Sequence, residues 1–87
     1  MSDREWQVRL GITEEDERTR ADAVLELADQ RFHGVGHAKR APQDPSVPVI
    51  GQDLAASRAL ADLSHQLLEA AVRRIEDHEG HPVRLQG

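Results

Sequence analysis

The chain is predicted to be α+β: a three-stranded antiparallel β-meander followed by one long C-terminal α-helix packed on the sheet, in the order β-β-β-α. Three observations carry this prediction. Neither Gly nor Pro occurs from Asp53 to Glu79, enough residues for roughly 40 Å of α-helix. Apolar side chains alternate with polar ones over three segments before that, about 5–13, 19–27 and 31–40, which is the period of a half-buried strand. Between the two regions, residues 41–52 hold Pro42, Pro45 and Pro48 with Asp44, Ser46 and Gly51, which reads as a connecting loop.

In the first segment Trp6, Val8, Leu10 and Ile12 alternate with Glu5, Gln7, Arg9 and Gly11. Glu14, Glu15, Asp16 and Glu17 then form an acidic tip, read as a hairpin loop of four or five residues, by about the usual hairpin lengths. The second segment places Ala21, Ala23, Leu25 and Leu27 on one face and Arg20, Asp22, Val24 and Glu26 on the other. Alanine is a weak strand former, yet a helix here would scatter the acids around its circumference, so strand is preferred. In the third segment Phe32, Gly34, Gly36 and Ala38 share a face, and three small residues there let a helix lie close to the sheet. Gly34-Val35-Gly36 is not a nucleotide loop, because a proline-rich loop follows it rather than a helix. Val49 and Ile50 are expected to tuck under the incoming helix.

At about 100° per residue, the helix gathers Arg58, Asp62, His65, Gln66, Glu69, Arg73, Glu76 and Asp77 on a solvent arc. Asp53 is placed to cap its start or to sit as an acid in its first turn. The rest is mostly apolar: Leu54, Ala61, Leu68 and Val72 on one flank, with Leu60, Leu63, Leu67, Ala70 and Ala71 on the other. That width is nearly twice the apolar stripe of about 100° that a surface helix needs. One flank is therefore assigned to the sheet and the other to a second copy, with Leu54, Ala61, Leu68 and Val72 as candidate interface residues of a homodimer. Gly80 is the expected C-terminal cap, with Pro82 beyond it and a tail over 80–87.

The 87 residues suit one domain, 1–87, near the small end of what a single core supports. There is no Cys, so neither disulfides nor thiolate zinc sites are available, and one Trp, one Phe and no Tyr leave an aliphatic core. Sixteen acids against eleven bases give a net charge of −5, which disfavours non-specific nucleic-acid binding. No signal peptide or membrane span is legible, and the cytoplasm is the expected location. His33 and His37 lie about 13 Å apart along a strand, too far to share an ion. His78 and His81 beside Glu79 are read as solvated. No nucleophile, base and pocket converge, so no enzyme, cofactor, metal or small-molecule substrate is expected.

Three stretches together resemble a known family: Glu17-Arg18-Thr19-Arg20-Ala21, Gly34-Val35-Gly36-His37-Ala38-Lys39, and Ile50-Gly51-Gln52-Asp53-Leu54-Ala55 continuing through Arg58-Ala59-Leu60-Ala61-Asp62-Leu63. They look like the small actinobacterial proteins of unknown function whose fold is similar to a double-stranded-RNA-binding domain without its first helix. The resemblance implies a homodimer linked to hypoxia or dormancy responses in mycobacteria, and it invites comparison with ribosome hibernation factors. It carries no catalytic residues. If the ribosome or structured RNA is contacted, the open sheet face is the expected surface, through a basic stripe of Arg9, Arg20, Arg31, His33, His37 and Lys39. The alternative is an acidic protein–protein interaction module that touches no nucleic acid and engages a partner through its hairpin tip or tail.

Overall fold

The computed structural model describes residues 3–40 and 47–80. Three strands, β1 (Val8–Glu15), β2 (Arg18–Glu26) and β3 (Arg31–Lys39), precede a single helix, α1 (Pro48–Glu79). The strands form one antiparallel sheet in the order β1-β2-β3, so the predicted β-β-β-α architecture holds. Of the residues for which strand is preferred over helix, Arg18 to Leu27, Arg18–Glu26 are strand, paired with β3 throughout and with β1 as far as Leu25.

The helix lies on the face bearing Ala21, Ala23 and Leu25 of β2 and Phe32, Gly34, Gly36 and Ala38 of β3. Against these it buries Ala55, Ala59, Leu63 and Ala70. At two points its backbone touches the strand directly. A Cβ on Gly36 would fall on the Ala55 carbonyl oxygen and the Ala59 nitrogen; one on Gly34 would meet the Ala59 carbonyl oxygen and lie 2.6 Å from the Leu63 nitrogen. Stepping back two residues along β3 thus corresponds to advancing four along the helix. Two strand residues rise about 6.6 Å and four helical residues about 6 Å, so α1 runs antiparallel to β3 and almost along it.

A second row follows the same register. The Arg58 Nη1 donates to the His37 carbonyl at 2.6 Å, the Val35 N–H donates to Asp62 Oδ2 at 2.8 Å, and Gln66 Nε2 donates to the His33 carbonyl at 2.8 Å. These side chains close the outer edge of β3, which would otherwise be an unpaired edge open to another strand. Asp62 and Gln66 are half-buried, so the expectation that they sit in a solvent arc is corrected, and Arg58 and Asp62 turn to the strand rather than to each other.

Several boundaries differ from expectation. The helix begins at Pro48, not near Asp53, because proline's fixed φ suits the first helical position, where its missing N–H costs nothing. Val47 precedes it without a side-chain cap, and no acid occupies the first turn, so Asp53 neither caps nor leads the helix. Val49 and Ile50 are exposed on the first turn instead of tucked beneath it. The acidic tip is also tighter than a four-residue loop. Glu14 and Glu15 pair with Thr19 and Arg18, leaving Asp16 and Glu17 to turn, with Asp16 at a φ of 53° that Asp tolerates better than most side chains. β1 starts at Val8, so Trp6 precedes the strand. Gly80 does end the helix in the left-handed region, its N–H bonded to the Glu76 carbonyl at 2.6 Å. Half of the expected 41–52 loop and all but Gly80 of the 80–87 tail, including Pro42, Pro45, His81 and Pro82, fall outside the described residues.

Gly36→Ala is expected to lower stability by about 1–3 kcal/mol, the usual cost of overpacking, because the new methyl meets helix backbone that cannot swing aside. Gly11→Ala, where the added methyl meets open space, should change it by no more than about 0.5 kcal/mol. Urea denaturation of the two variants checks the contrast. Asp62→Ala, which strands the half-buried Val35 N–H, is expected to cost about 1–3 kcal/mol in the same assay.

Candidate nucleic-acid interface

Strand alternation sends every second side chain to the face away from α1. Pairing sets Arg9 across from Val24 and Val24 across from His33, Arg20 across from His37, Glu26 across from Arg31, and Arg18 between Glu15 and Lys39. The six residues of the expected basic stripe, Arg9, Arg20, Arg31, His33, His37 and Lys39, therefore do share the open face.

They do not form a free stripe, because two acids of β2 stand among them. Asp22 receives Arg20 through Nε at 3.2 and 3.1 Å and through Nη2 at 2.9 Å, and His33 Nε2 lies 2.7 Å from Asp22 Oδ1. Glu26 accepts from Arg9 at 3.1 Å and has Arg31 Nε at 3.6 Å. Three of the four expected arginine and lysine anchors are thus tied to carboxylates, while Lys39 and His37 have no ion pair among the described residues. The Arg20 guanidinium, helped by His33, holds the Asp22 carboxyl down at about 2, and Asp22 in turn raises Arg20 above its ordinary value. Arg20 is exposed and Asp22 half-buried, so water screens the pair, which organises the face more than it stabilises the fold.

Sequence reasoning missed Arg18, which pairs with Lys39 in the sheet register and joins the open face. It also left Asp22 and Glu26 out of the site, although their alternation with Arg20 already placed them there. With Glu15 counted, the face carries five arginine and lysine side chains against three acids, a surplus of two on a chain whose net charge is −5. The remainder of the molecule is correspondingly more acidic. At the tip, Glu14 accepts from Gln52 at 2.7 Å and Glu17 lies 3.8 Å from Arg40, so these acids are engaged within the chain.

The candidate dimer residues occupy the side of α1 turned from the sheet. Leu54 and Ala61 are exposed, while Leu68 and Val72 are half-buried. Among the described residues no group of three His, Cys, Asp or Glu is arranged to hold a metal ion, and no helix is long and apolar enough to cross a membrane.

This architecture and surface define a small α+β protein with one helix laid along the edge strand of a three-stranded sheet and a mixed-charge open face. The chain belongs to the Rv2632c-like family, whose model matches residues 4–84. It is 44% identical over 77 residues to the uncharacterized protein Rv2632c of Mycobacterium tuberculosis, covering 88% of this chain and 83% of that one. It is 39% identical over 80 residues to the uncharacterized protein Mb1767 of Mycobacterium bovis, covering 92% and 85%. The crystal structure of Rv2632c superposes with a TM-score of 0.86 at 40% identity, over 94% of this chain and 98% of that one.

Since Asp22 titrates at about 2 rather than 3.8, its bonds to Arg20 and His33 contribute fully above 3.8 and are lost as the pH falls through about 2. An NMR titration of the Asp22 carboxyl carbon is expected to show its midpoint near the lower value; a midpoint at 3.8 would mean that these bonds do not persist in solution.

Proposed function

We propose that this protein is a non-enzymatic, homodimeric binding protein of the cytoplasm that presents its open sheet face to a polyanion, structured RNA or the ribosome. The observation that carries the reading is the concentration of positive charge on that face of an otherwise acidic chain. Long-range attraction depends on the local field, so a locally positive surface on a negative molecule binds and orients anions in one pose. Arg18 and Lys39 are the strongest phosphate anchors, and Arg9, Arg20 and Arg31 exchange carboxylates for phosphates when the partner arrives.

The family resemblance supports two finer parts of the reading: kinship with double-stranded-RNA-binding domains that have lost their first helix, and a role under hypoxia or in dormancy. The recess of about 280 Å³ between the hairpin tip and the start of α1, lined by Val47, Ile50 and Leu54 beside Thr19 and Lys39, is mainly apolar and suits packing rather than chemistry. The acidic-module alternative is the weaker one, because Glu14 and Glu17 already have partners inside the chain.

Arg18→Gln with Lys39→Gln is expected to weaken binding to a structured RNA and to lower the dependence of log K on log salt by about two units, one for each phosphate contact removed. Asp22→Asn, which releases Arg20 and His33, should strengthen it. Fluorescence anisotropy at several salt concentrations gives both readouts. Absence of the protein from every ribosomal fraction at low salt, together with no RNA affinity in the wild type or in Asp22→Asn, overturns the proposal.

A further inference from the structure

The alternation reads Val8, Leu10 and Ile12 as one face of a half-buried strand, and the structure leaves that face largely uncovered. These residues pair with Leu25, Ala23 and Ala21, hence share the face that carries α1, yet the three stay 41–42% exposed while their partners are at 0–1%. Trp6, just before them, is also exposed. The cause is the placement of α1 along β3. Its polar flank closes the β3 edge through Arg58, Asp62 and Gln66, so its opposite flank, with Leu60 and Leu67, turns toward β1 without reaching over it. The result is a step: an apolar ledge made by β1, beside an apolar wall about one helix diameter high, roughly 10 Å.

The same protomer carries the matching convex surface. Ala61 lies about 200° around the helix from buried Ala59, so the row Leu54, Ala61, Leu68 and Val72 faces away from the sheet, apolar and uncovered at Leu54 and Ala61. The levels agree as well. Gly34 pairs with Ala23 and Ala23 with Leu10, while Gly34 sits under Ala59 and Leu63, so Leu10 and Ala61 stand at one height along the long axis.

We propose that a second copy of this chain, related by a twofold axis that runs parallel to α1 between the two helices, seats its helix on the β1 ledge at the matching height, so that the two helices lie side by side between two outer sheets. This names the seam of the homodimer proposed above and rests on that reading. Both unlike surfaces of the step are covered at once, each by the other's counterpart, which is what an isologous contact requires. A foreign partner would have to supply both shapes. Specific interfaces bury about 1,200–2,000 Å² in total, and this seam draws on the ledge, the wall and the helix back of both protomers. Joining the two β1 edges strand to strand would instead leave Val8, Leu10 and Ile12 of both copies in an open valley.

The test is charge exchange across the seam, using Leu10→Lys and Ala61→Glu, both at exposed positions. Wild type is expected to sediment as a dimer. Each variant alone should keep its far-UV circular dichroism and dimerise at least tenfold more weakly, and an equimolar mixture should restore a heterodimer, because one of its two ledges then sets Lys against Glu and the other is unaltered. A dimer broken by Leu10→Lys but untouched by Ala61→Glu, with no rescue on mixing, overturns this seam in favour of edge pairing and leaves the homodimer standing. A wild-type monomer at about 100 µM overturns both. Neither substitution lies on the open face, so RNA affinity reports separately on the function proposed above.

Discussion

The constraint on which the molecule depends is the seating of a helix backbone on a strand backbone at Gly34 and Gly36. With any larger residue there, the helix would ride higher and the alanines at 21, 23, 38, 55 and 59 would no longer reach across the interface. Such a core contains little apolar volume, since among the described residues Leu25, Leu63 and Phe32 are the large side chains buried in it and the rest are alanines. Its cohesion comes from closeness, because dispersion falls steeply with small gaps. The near equality of two strand residues and four helical residues lets the contact repeat without either element bending. It also brings Arg58, Asp62 and Gln66 onto alternate outward backbone groups of β3. A single register therefore builds the core and closes one sheet edge.

What the sequence made legible follows from period. Alternation over β2 and β3 and the small residues at 34, 36 and 38 pointed to strands lying under a helix, and the wide apolar arc of α1 pointed to one element crossing them. What it concealed depends on position rather than on type. Asp62 and Gln66 look like solvent residues on a helical projection; only the lateral placement of the helix over β3 brings them to an open strand edge. The early start at Pro48 was hidden because three prolines and a glycine signal a loop, although proline in the first helical turn is as good a start as any. For the candidate site, the cations were legible and their partners were overlooked. Asp22 and Glu26 sit on the same alternating face as Arg20, and two residues of separation on a strand is enough for Arg20 to reach Asp22 with both nitrogens.

The open face interleaves cations with carboxylates, which bears on the binding proposed for it. Five exposed cations without carboxylates between them would repel one another and bind polyanions indiscriminately. Asp22 and Glu26 hold the guanidinium groups in place, so a polyanion of the kind proposed above would have to displace or bridge them and match the pattern rather than just the charge. Exposed pairs of this kind are worth little to stability and are readily exchanged.

Closing one edge of the sheet is what leaves the other bare. A helix about 10 Å across cannot lie over all three strands, whose spacing of about 4.8 Å makes the sheet wider than the helix covers. Placed centrally, α1 would shade Leu10 but withdraw Asp62 from Val35. Placed over β3, it secures three hydrogen bonds to a vulnerable edge and exposes Trp6, Val8, Leu10 and Ile12. The surplus apolar arc of the helix and the uncovered ledge of β1 are thus two results of one displacement, and they arise on the same molecule at the same height. Apolar surface left on both sides of a step, in equal measure and complementary shape, is most simply removed from water by a second copy of that step.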